Sequence, residues 1–360
     1  MSSTYSILKR MPVGNLISKL SWEVGIDLGT CNTLMYLKER GIVINEPTMI
    51  ARTKKKKWVG LSTPKFNFAK PIAYGYKAKE MLEREPTQIE VVSPIKNGSI
   101  QDLNALEKLI NYYLKLVREI PYRYPKIFKP KVIVGIATFL NPVHKRAARE
   151  LLKDEGAGQV ILVDQAVLSA INLGVSLETA DGVMIVDVGG GKTEITVVSI
   201  GGVVVGKSIN VAGKSLDQDI INFIKMKYNL TIGQLTAEKI KIQGEGVIRG
   251  RDLSSGLPKS IKVSSGEINE AIGLSLNKIV KTVTRVLDET PPELITGILK
   301  QGIVMVGGGA KIEGLAKMIE DEVKIGANVV DEPELSVIKG CGELIENPSK
   351  LSQVKLWAND

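Results

Sequence analysis

The sequence predicts an α/β protein made of two related domains that face each other. Three observations carry this expectation. A strand, glycine turn and strand occur twice, as VGIDLGTCNTLMYL at residues 24–37 and as IVDVGGGKTEITVVS at residues 185–199. A third glycine run, GIVMVGGGAKIEGLAKMI at residues 302–319, reads as strand, turn and helix. Between these runs, apolar strands and amphipathic helices follow one another, as α/β units do.

The two hairpins share one design. Each runs apolar strand, Asp, one residue, Gly, a turn of glycines or small polar residues, Thr, and a second apolar strand. Glycine lets backbone N–H groups approach a phosphate closely. Hydroxyls and amides at Thr30, Cys31, Asn32 and Thr33 add donors. Asp27 and Asp187 come from opposing domains, so their carboxylates suit a hydrated magnesium ion. One such hairpin alone is usually an ordinary turn; the pair, in this order, is the informative feature.

In the third run the helix face repeats Ile312, Leu315, Met318 and Ile319. Glycines at the junction would let a purine lie against backbone, with a helix N-terminus favouring negative charge nearby. A tight strand-to-helix turn with no ligand is the alternative. Elsewhere, NALEKLINYYLKLVRE sets Leu106, Leu109, Ile110, Tyr113 and Val117 at helical spacing. KVIVGIA, residues 131–137, reads as a buried strand, and VHKRAARELLKDEGAG as a helix stopped by Gly156.

Bulk properties narrow the function classes. The 360 residues suffice for two domains with proper cores, and 44% hydrophobic residues argue against disorder. No apolar run is long enough to span a membrane, and the N-terminus lacks the core of a signal peptide. Two distant cysteines, Cys31 and Cys341, fit a reduced cytoplasmic protein better than a disulfide. With one histidine, His144, there is no metal cluster to build, and a helix-start or surface position explains that residue better than catalysis. The net charge of +9 favours an anionic partner. Aromatics at 5%, without a stacking motif, rank a membrane surface above nucleic acid.

Taken together, GIDLGTCNT, GIVINEPT, FKPKVIVGI, VDVGGGKTEITVVS, TAEKIKIQ, DLSSGLPKSI, TPPEL and VMVGGGAKIEGL resemble the actin/Hsp70/sugar-kinase ATPases and, within them, the MreB family of bacterial actins. The resemblance covers about residues 23–345. It implies an actin-like fold: two RNase H-like domains around a nucleotide cleft, each with a smaller inserted subdomain. Domain I would span 23–180 with its insertion at about 46–85, and domain II 181–345 with its insertion at about 216–275. Residues 1–22 and 346–360 would be an N-terminal extension and a C-terminal tail. It also implies ATP with Mg2+ as cofactors. Asp27, Gly29, Thr30, Cys31 and Asn32 would form a first phosphate loop, and Asp187, Gly189, Gly190, Gly191, Lys192 and Thr193 a second. Asp27 and Asp187 would hold the metal through water. Glu238 would reach the ribose or adenine side, Gly213 and Asp217 would lie near the nucleotide, and Gly307, Gly308, Gly309 and Ala310 would seat the adenosine.

One departure falls in the binding pattern and two where the family hydrolyses ATP. The usual Gly-Asp reads Gly213-Lys214. The usual EEP stretch reads Asp164, Gln165, Ala166, and Gln165 resembles the glutamine that eukaryotic actin uses. A glutamine orients water but is no base. Lys192 stands where the family has a threonine. A lysine has no acceptor for a water proton, while its point charge can pair with a γ-phosphate. Slow hydrolysis follows from water positioning weakened at both Gln165 and Lys192. Faster phosphoryl transfer by added charge, and a lysine merely facing solvent, stay open.

The resemblance further implies self-association into filaments at the inner face of the cell membrane, from the cytoplasm, with other cytoskeletal proteins as partners and no nucleic acid. Such filaments set cell shape or, in a wall-less cell, helicity and movement. PYRYPKIFKPK, residues 121–131, matches the family's membrane loop, with Ile127 and Phe128 as the insertion pair. The partly amphipathic N-terminus is a weaker membrane contact. KKKKW, Lys54 to Trp58, reads as a solvated hairpin tip, with a filament or membrane contact as the alternative. The competing class is a non-polymerising relative, an Hsp70-like chaperone or a small-molecule kinase. The chain's length disfavours the first. For the second, Asp164 is the one candidate base, and the EEP alignment explains it better.

Overall fold

The computed structural model describes residues 22–54, 69–121 and 128–356. Two five-stranded sheets dominate them, and each repeats the other's plan. The first runs β10-β9-β1-β2-β3, from β1 (Glu23–Leu28), β2 (Asn32–Leu37), β3 (Gly41–Pro47), β9 (Lys131–Ile136) and β10 (Gln159–Asp164). The second runs β13-β12-β11-β17-β18, from β11 (Val183–Val188), β12 (Thr193–Ser199), β13 (Gly202–Ile209), β17 (Ile303–Val306) and β18 (Ala327–Val329). In both, three antiparallel strands adjoin two parallel ones. The register matches too. Asp27 lies opposite Leu34 and Leu28 opposite Thr33, while Asp187 lies opposite Glu194 and Val188 opposite Thr193.

The strands form because they are apolar on both faces. In β11 Met184, Ile185 and Val186 are fully buried on both faces; in β1 Val24 and Ile26 fill one face, and Gly25 on the other packs close to Cys341. One face of the first sheet packs on the helix Leu103–Glu119, whose Leu106, Leu109, Ile110, Tyr113 and Val117 are all buried. Asp102 caps that helix by accepting from the Ala105 N–H at 3.0 Å. The helix Pro142–Asp154 ends before Gly156, whose φ of +97° leaves the helical region. A third cluster joins the halves. Leu34, Ile133 and Ile161 of the first sheet meet Ile185, Val198 and Val306 of the second around the helices Gln165–Asn172 and Ser336–Glu346. The Ser336–Glu346 helix comes late in the chain yet packs on β1, β2 and β9.

Two small sheets stand off the large ones. One is β5-β4-β6, from β4 (Ile50–Thr53), β5 (Pro71–Tyr74) and β6 (Ile89–Val92), beside the helix Gly75–Met81. The other is β14-β15-β16, from β14 (Leu230–Thr231), β15 (Gly246–Asp252) and β16 (Pro258–Val263), beside the helices Gly213–Tyr228 and Gln234–Gln243. A tight hairpin, β7 (Ile95–Lys96) and β8 (Ser99–Ile100), completes the strands. Trp22 is 1% exposed, and its Nε1–H donates to the Phe128 carbonyl at 2.9 Å, so the start of β1 is tied to the segment leading into β9.

One helix expectation needs correction. The third glycine run does not pass directly into a helix carrying Ile312. A short 3-10 turn, Gly308–Lys311, comes first, and the helix is Leu315–Val323. Gly314 at φ +82° breaks continuity, and Ile312 is extended. Ile127, residues 1–21 and residues 55–58 of the KKKKW stretch lie outside the described residues.

Candidate functional site

Both glycine hairpins open into one cleft of about 630 Å³. Its wall includes Asp27, Gly29, Thr30, Cys31 and Asn32 from the first and Asp187, Gly189, Gly190, Gly191 and Lys192 from the second. Gln165, Gly213, Asp217, Glu238, Gly307, Gly308 and Gly309 also line it. Four expected residues do not. Thr33 is buried, its hydroxyl paired with that of Thr48 at 3.0 Å. Thr193 is buried, its hydroxyl donating to the Val211 carbonyl at 2.6 Å. Asp164 is buried at the end of β10, and Ala310 is buried behind the glycine run. Phe128 is half-buried, away from this wall.

The opposing turns touch. A Cβ on Gly190 would lie 2.1 Å from Cys31 Sγ, so only glycine permits this approach. Each turn is held from behind. Thr48 serves the first, donating its hydroxyl to the Gly29 carbonyl and its N–H to the Cys31 carbonyl, both at 2.7 Å. The Gly213–Tyr228 helix serves the second, with Gly213 N–H on the Gly189 carbonyl at 3.1 Å and Lys214 N–H on the Gly190 carbonyl at 2.8 Å. Cys31 and Cys341 are both free thiols, and burial pushes both upward in pKa.

The two carboxylates face the cleft from matching places. Asp27 is pushed up to about 7 by burial, then by the Asp187 charge, against a hydrogen bond from Gln165 Nε2 at 2.9 Å. Asp187 is pushed up to about 7 by burial, then by Glu194, with Lys192 opposing. Desolvated acids facing an open cleft from two sides suit a hydrated divalent cation. Among the described residues no cluster of three or more metal-type side chains exists.

Lys192 does not face solvent. Its side chain is 13% exposed, and its ammonium lies 2.5 Å from Glu194 Oε1. Glu194 also accepts from the Thr138 N–H at 3.1 Å and the Phe139 N–H at 3.3 Å, across to the turn after β9. Lys214 reaches the other way, its Nζ 3.4 Å from both the Thr30 carbonyl and Ser93 Oγ. Lys241 pairs with Asp217 at 2.6 Å and donates to the Gly213 carbonyl at 2.9 Å. Burial nevertheless leaves Asp217 raised in pKa.

At the mouth the small sheets' helices meet. Glu238 is held by Lys79 at 2.7 Å, and Glu83 accepts from the Gln234 N–H at 2.7 Å. Sequence reasoning read Glu238, in TAEKIKIQ, toward the nucleotide and missed this strap, because neither Lys79 nor Glu83 sits in a motif. It also missed the β7–β8 turn, where Gly98 N–H donates to Thr30 Oγ1 at 2.9 Å. There a signal existed. Asn97-Gly98 between Ile95 and Ile100 marks a two-residue hairpin, and both residues have positive φ, 50° and 71°.

Comparison with known proteins assigns the class. MreB5 of Spiroplasma citri, in a crystal structure bound to AMPPNP, matches at a TM-score of 0.83 and 30% identity, covering 92% of this chain and 98% of that one. The fold is actin-like, two lobes on twin sheets with the cleft between. The family model for MreB/Mbl protein matches residues 21–353. The cell shape-determining protein Mbl of Bacillus subtilis (strain 168) is 36% identical over 345 residues, 93% of this chain and 98% of the relative. The cell shape-determining protein MreB of Escherichia coli (strain K12) is 36% identical over 334 residues, 90% and 93% respectively. The chain belongs to the MreB/Mbl family.

Proposed function

We propose that this protein binds ATP with Mg2+ in the cleft and polymerises into filaments at the inner face of the cell membrane, where they govern cell shape. One observation carries the nucleotide reading: Asp27 and Asp187 face a single cleft from matching steps of two hairpins, one followed by a turn of glycine and small polar residues, the other by three glycines. Gly29, Thr30, Cys31 and Asn32 hold phosphate oxygens from one side, and Gly189, Gly190 and Gly191 from the other. Asp27 and Asp187 hold the cation through water. Gly307, Gly308 and Gly309 seat the adenosine. When bound, the cation supplies charge neutralisation to the phosphates. MreB5 of Spiroplasma citri was crystallised with ADP as well as AMPPNP, which supports an adenine nucleotide here. Filament formation rests on membership of a cell-shape family. Membrane contact rests on the net charge of +9 and the Ile127–Phe128 loop. Among the described residues no helix is long and apolar enough to cross a membrane.

Hydrolysis is slow in this reading. Gln165 gives its amide N–H to Asp27, and Lys192 gives its ammonium to Glu194, so neither takes a proton from water. High-speed sedimentation with ATP, with ADP and without nucleotide tests the filament reading. A nucleotide-dependent pellet of filaments under the electron microscope is expected. ATP binding without a pellet in any condition would return the protein to the non-polymerising class. Phosphate release from Lys192→Thr should exceed that of the native protein; an unchanged rate would sink the slow-hydrolysis reading.

A further inference from the structure

Leu34 and Glu194 occupy one step of the two matching ladders, opposite Asp27 and Asp187. Leu34 does what an inward strand residue does and packs among apolar side chains. Glu194 is equally hidden, 3% exposed, yet carries a carboxylate. Three donors hold it there: the N–H groups of Thr138 and Phe139 and the Lys192 ammonium. The amides come from the first large sheet's side and the carboxylate from β12 of the second, so both halves of the molecule fix its position.

Lys192 is fixed as well. Its chain passes Gly98 so closely that a Cβ on that glycine would lie 2.5 Å from Lys192 Cε. The hairpin turn therefore walls off one side of the lysine, and Glu194 receives its head. Both residues line the cleft, beside the turn that follows Asp187. The lysine's charge reaches that end of the cleft only in combination with the glutamate's.

We propose that Glu194 sets the nucleotide preference of the cleft by neutralising Lys192, so that the pair presents no net charge to the terminal phosphate. This rests on the reading of the cleft as a nucleotide site. The arithmetic is simple. ATP carries one more negative charge than ADP near this end, so any net charge on the pair acts on the two nucleotides unequally. Asp27, Asp187, Asp164 and Lys145 also bear on the site; Asp187 and Lys145 feel both members of the pair, so the four forms are compared at pH 8, where Asp187 is largely ionised.

Calorimetric titration of the full-length protein with Mg·ATP and with Mg·ADP tests this on four forms: native, Glu194→Gln, Lys192→Met and the double variant. Glutamine keeps an oxygen for the two backbone N–H groups, and a thermal melt of each form checks that it is folded. The ratio of the ADP to the ATP dissociation constant should rise about fivefold in Glu194→Gln, where the pair becomes +1, and fall about fivefold in Lys192→Met, where it becomes −1, the modest end of couplings between sites. The double variant, neutral again, should return to the native ratio. A double variant that stays at the Lys192→Met value overturns the proposal, because Lys192 would then act without Glu194. So does one ratio shared by all four forms, which would make the pair a purely structural contact. Failure of the native protein to bind either nucleotide overturns the cleft reading itself, and the native titration alone shows that.

Discussion

Asp27 stands opposite Leu34 in its hairpin, and Asp187 opposite Glu194 in the other. The first turn keeps its side chains: Thr30 accepts from Gly98 N–H, and Asn32 donates to Asn45 at 3.2 Å. The second turn is stripped to Gly189, Gly190 and Gly191, and its order comes from outside, from the N–H groups of Gly213 and Lys214. Two similar ladders thus reach one cleft by different means. The side-chain-bearing turn is fastened by Thr48 and through its own Thr30 and Asn32 side chains, whereas the bare turn gains closeness to its opposite number and depends on a helix behind it. Only the second adds a buried ion pair.

The comparison breaks most visibly if that pair is removed. Glu194→Leu gives both hairpins an apolar residue at the same step. It also leaves the Lys192 ammonium and the Thr138 and Phe139 N–H groups without their acceptor. Removing one partner of a buried pair costs about 3–5 kcal/mol. Denaturant titration should show a loss in this range. A loss below about 1 kcal/mol, the scale of an exposed pair, would mean that water already reaches Glu194.

The acids should behave as equals. Asp27→Asn and Asp187→Asn are each expected to weaken Mg·ATP binding by about 10- to 100-fold, as loss of a metal's supporting group does. A large effect at one and none at the other would end the symmetry. Their titration gives an independent check. Both acids have folded pKa values near 7, above the ordinary 3.8, so folding takes up protons. The nucleotide-free protein is therefore favoured at low pH and loses stability as pH rises from about 4 through about 7. Melting temperature without nucleotide should be higher at pH 6 than at pH 8, and either Asn variant should flatten that slope. Mg·ATP affinity should run the other way, since a protonated carboxyl holds a cation poorly.

Much of this was legible in the chain. The twin hairpins, the cleft-lining glycines and both acids follow from residue types at fixed offsets, and a single cleft gathers them. What stayed hidden depends on long-range partners. Nothing local to GGGKTE says that Glu194 will meet the N–H groups of Thr138 and Phe139, 56 and 55 residues away. Nor does local sequence pair Lys79 with Glu238, or carry Thr193 inward to Val211. The helix after the third glycine run was misplaced for a local reason. Gly314 adopts a positive φ that apolar periodicity does not register.

The closeness of the two turns can be tested at Gly190. Alanine there places a methyl where Cys31 Sγ already sits, 2.1 Å away, with Cys31 Cβ at 2.9 Å. Overpacking of this kind costs about 1–3 kcal/mol. Gly189→Ala meets one carbonyl, that of Lys192 at 3.1 Å, and should cost less. Cys31→Ala removes the sulfur but not the Cβ, so it should rescue Gly190→Ala only in part, as a double-mutant cycle on thermal melts would show. Full additivity would place the strain elsewhere in the second turn.

The smallest effect belongs to the side-chain-bearing turn. Asn32 holds the place in the first turn that Lys192 holds in the second, just before the threonine of each ladder. Its Nδ2–H donates to Asn45 Oδ1 in an exposed hydrogen bond, and water replaces such a bond readily. Asn32→Ala should therefore cost about 0.5–1 kcal/mol of stability. Thr48 still fastens the turn through Gly29 and Cys31, so its backbone is expected to stay in place. A much larger loss by denaturant titration would show that Asn32, like Lys192, is bound into a network that fixes its hairpin. The contrast between a turn fastened chiefly by Thr48 and one whose lysine is locked into a buried pair would then fail.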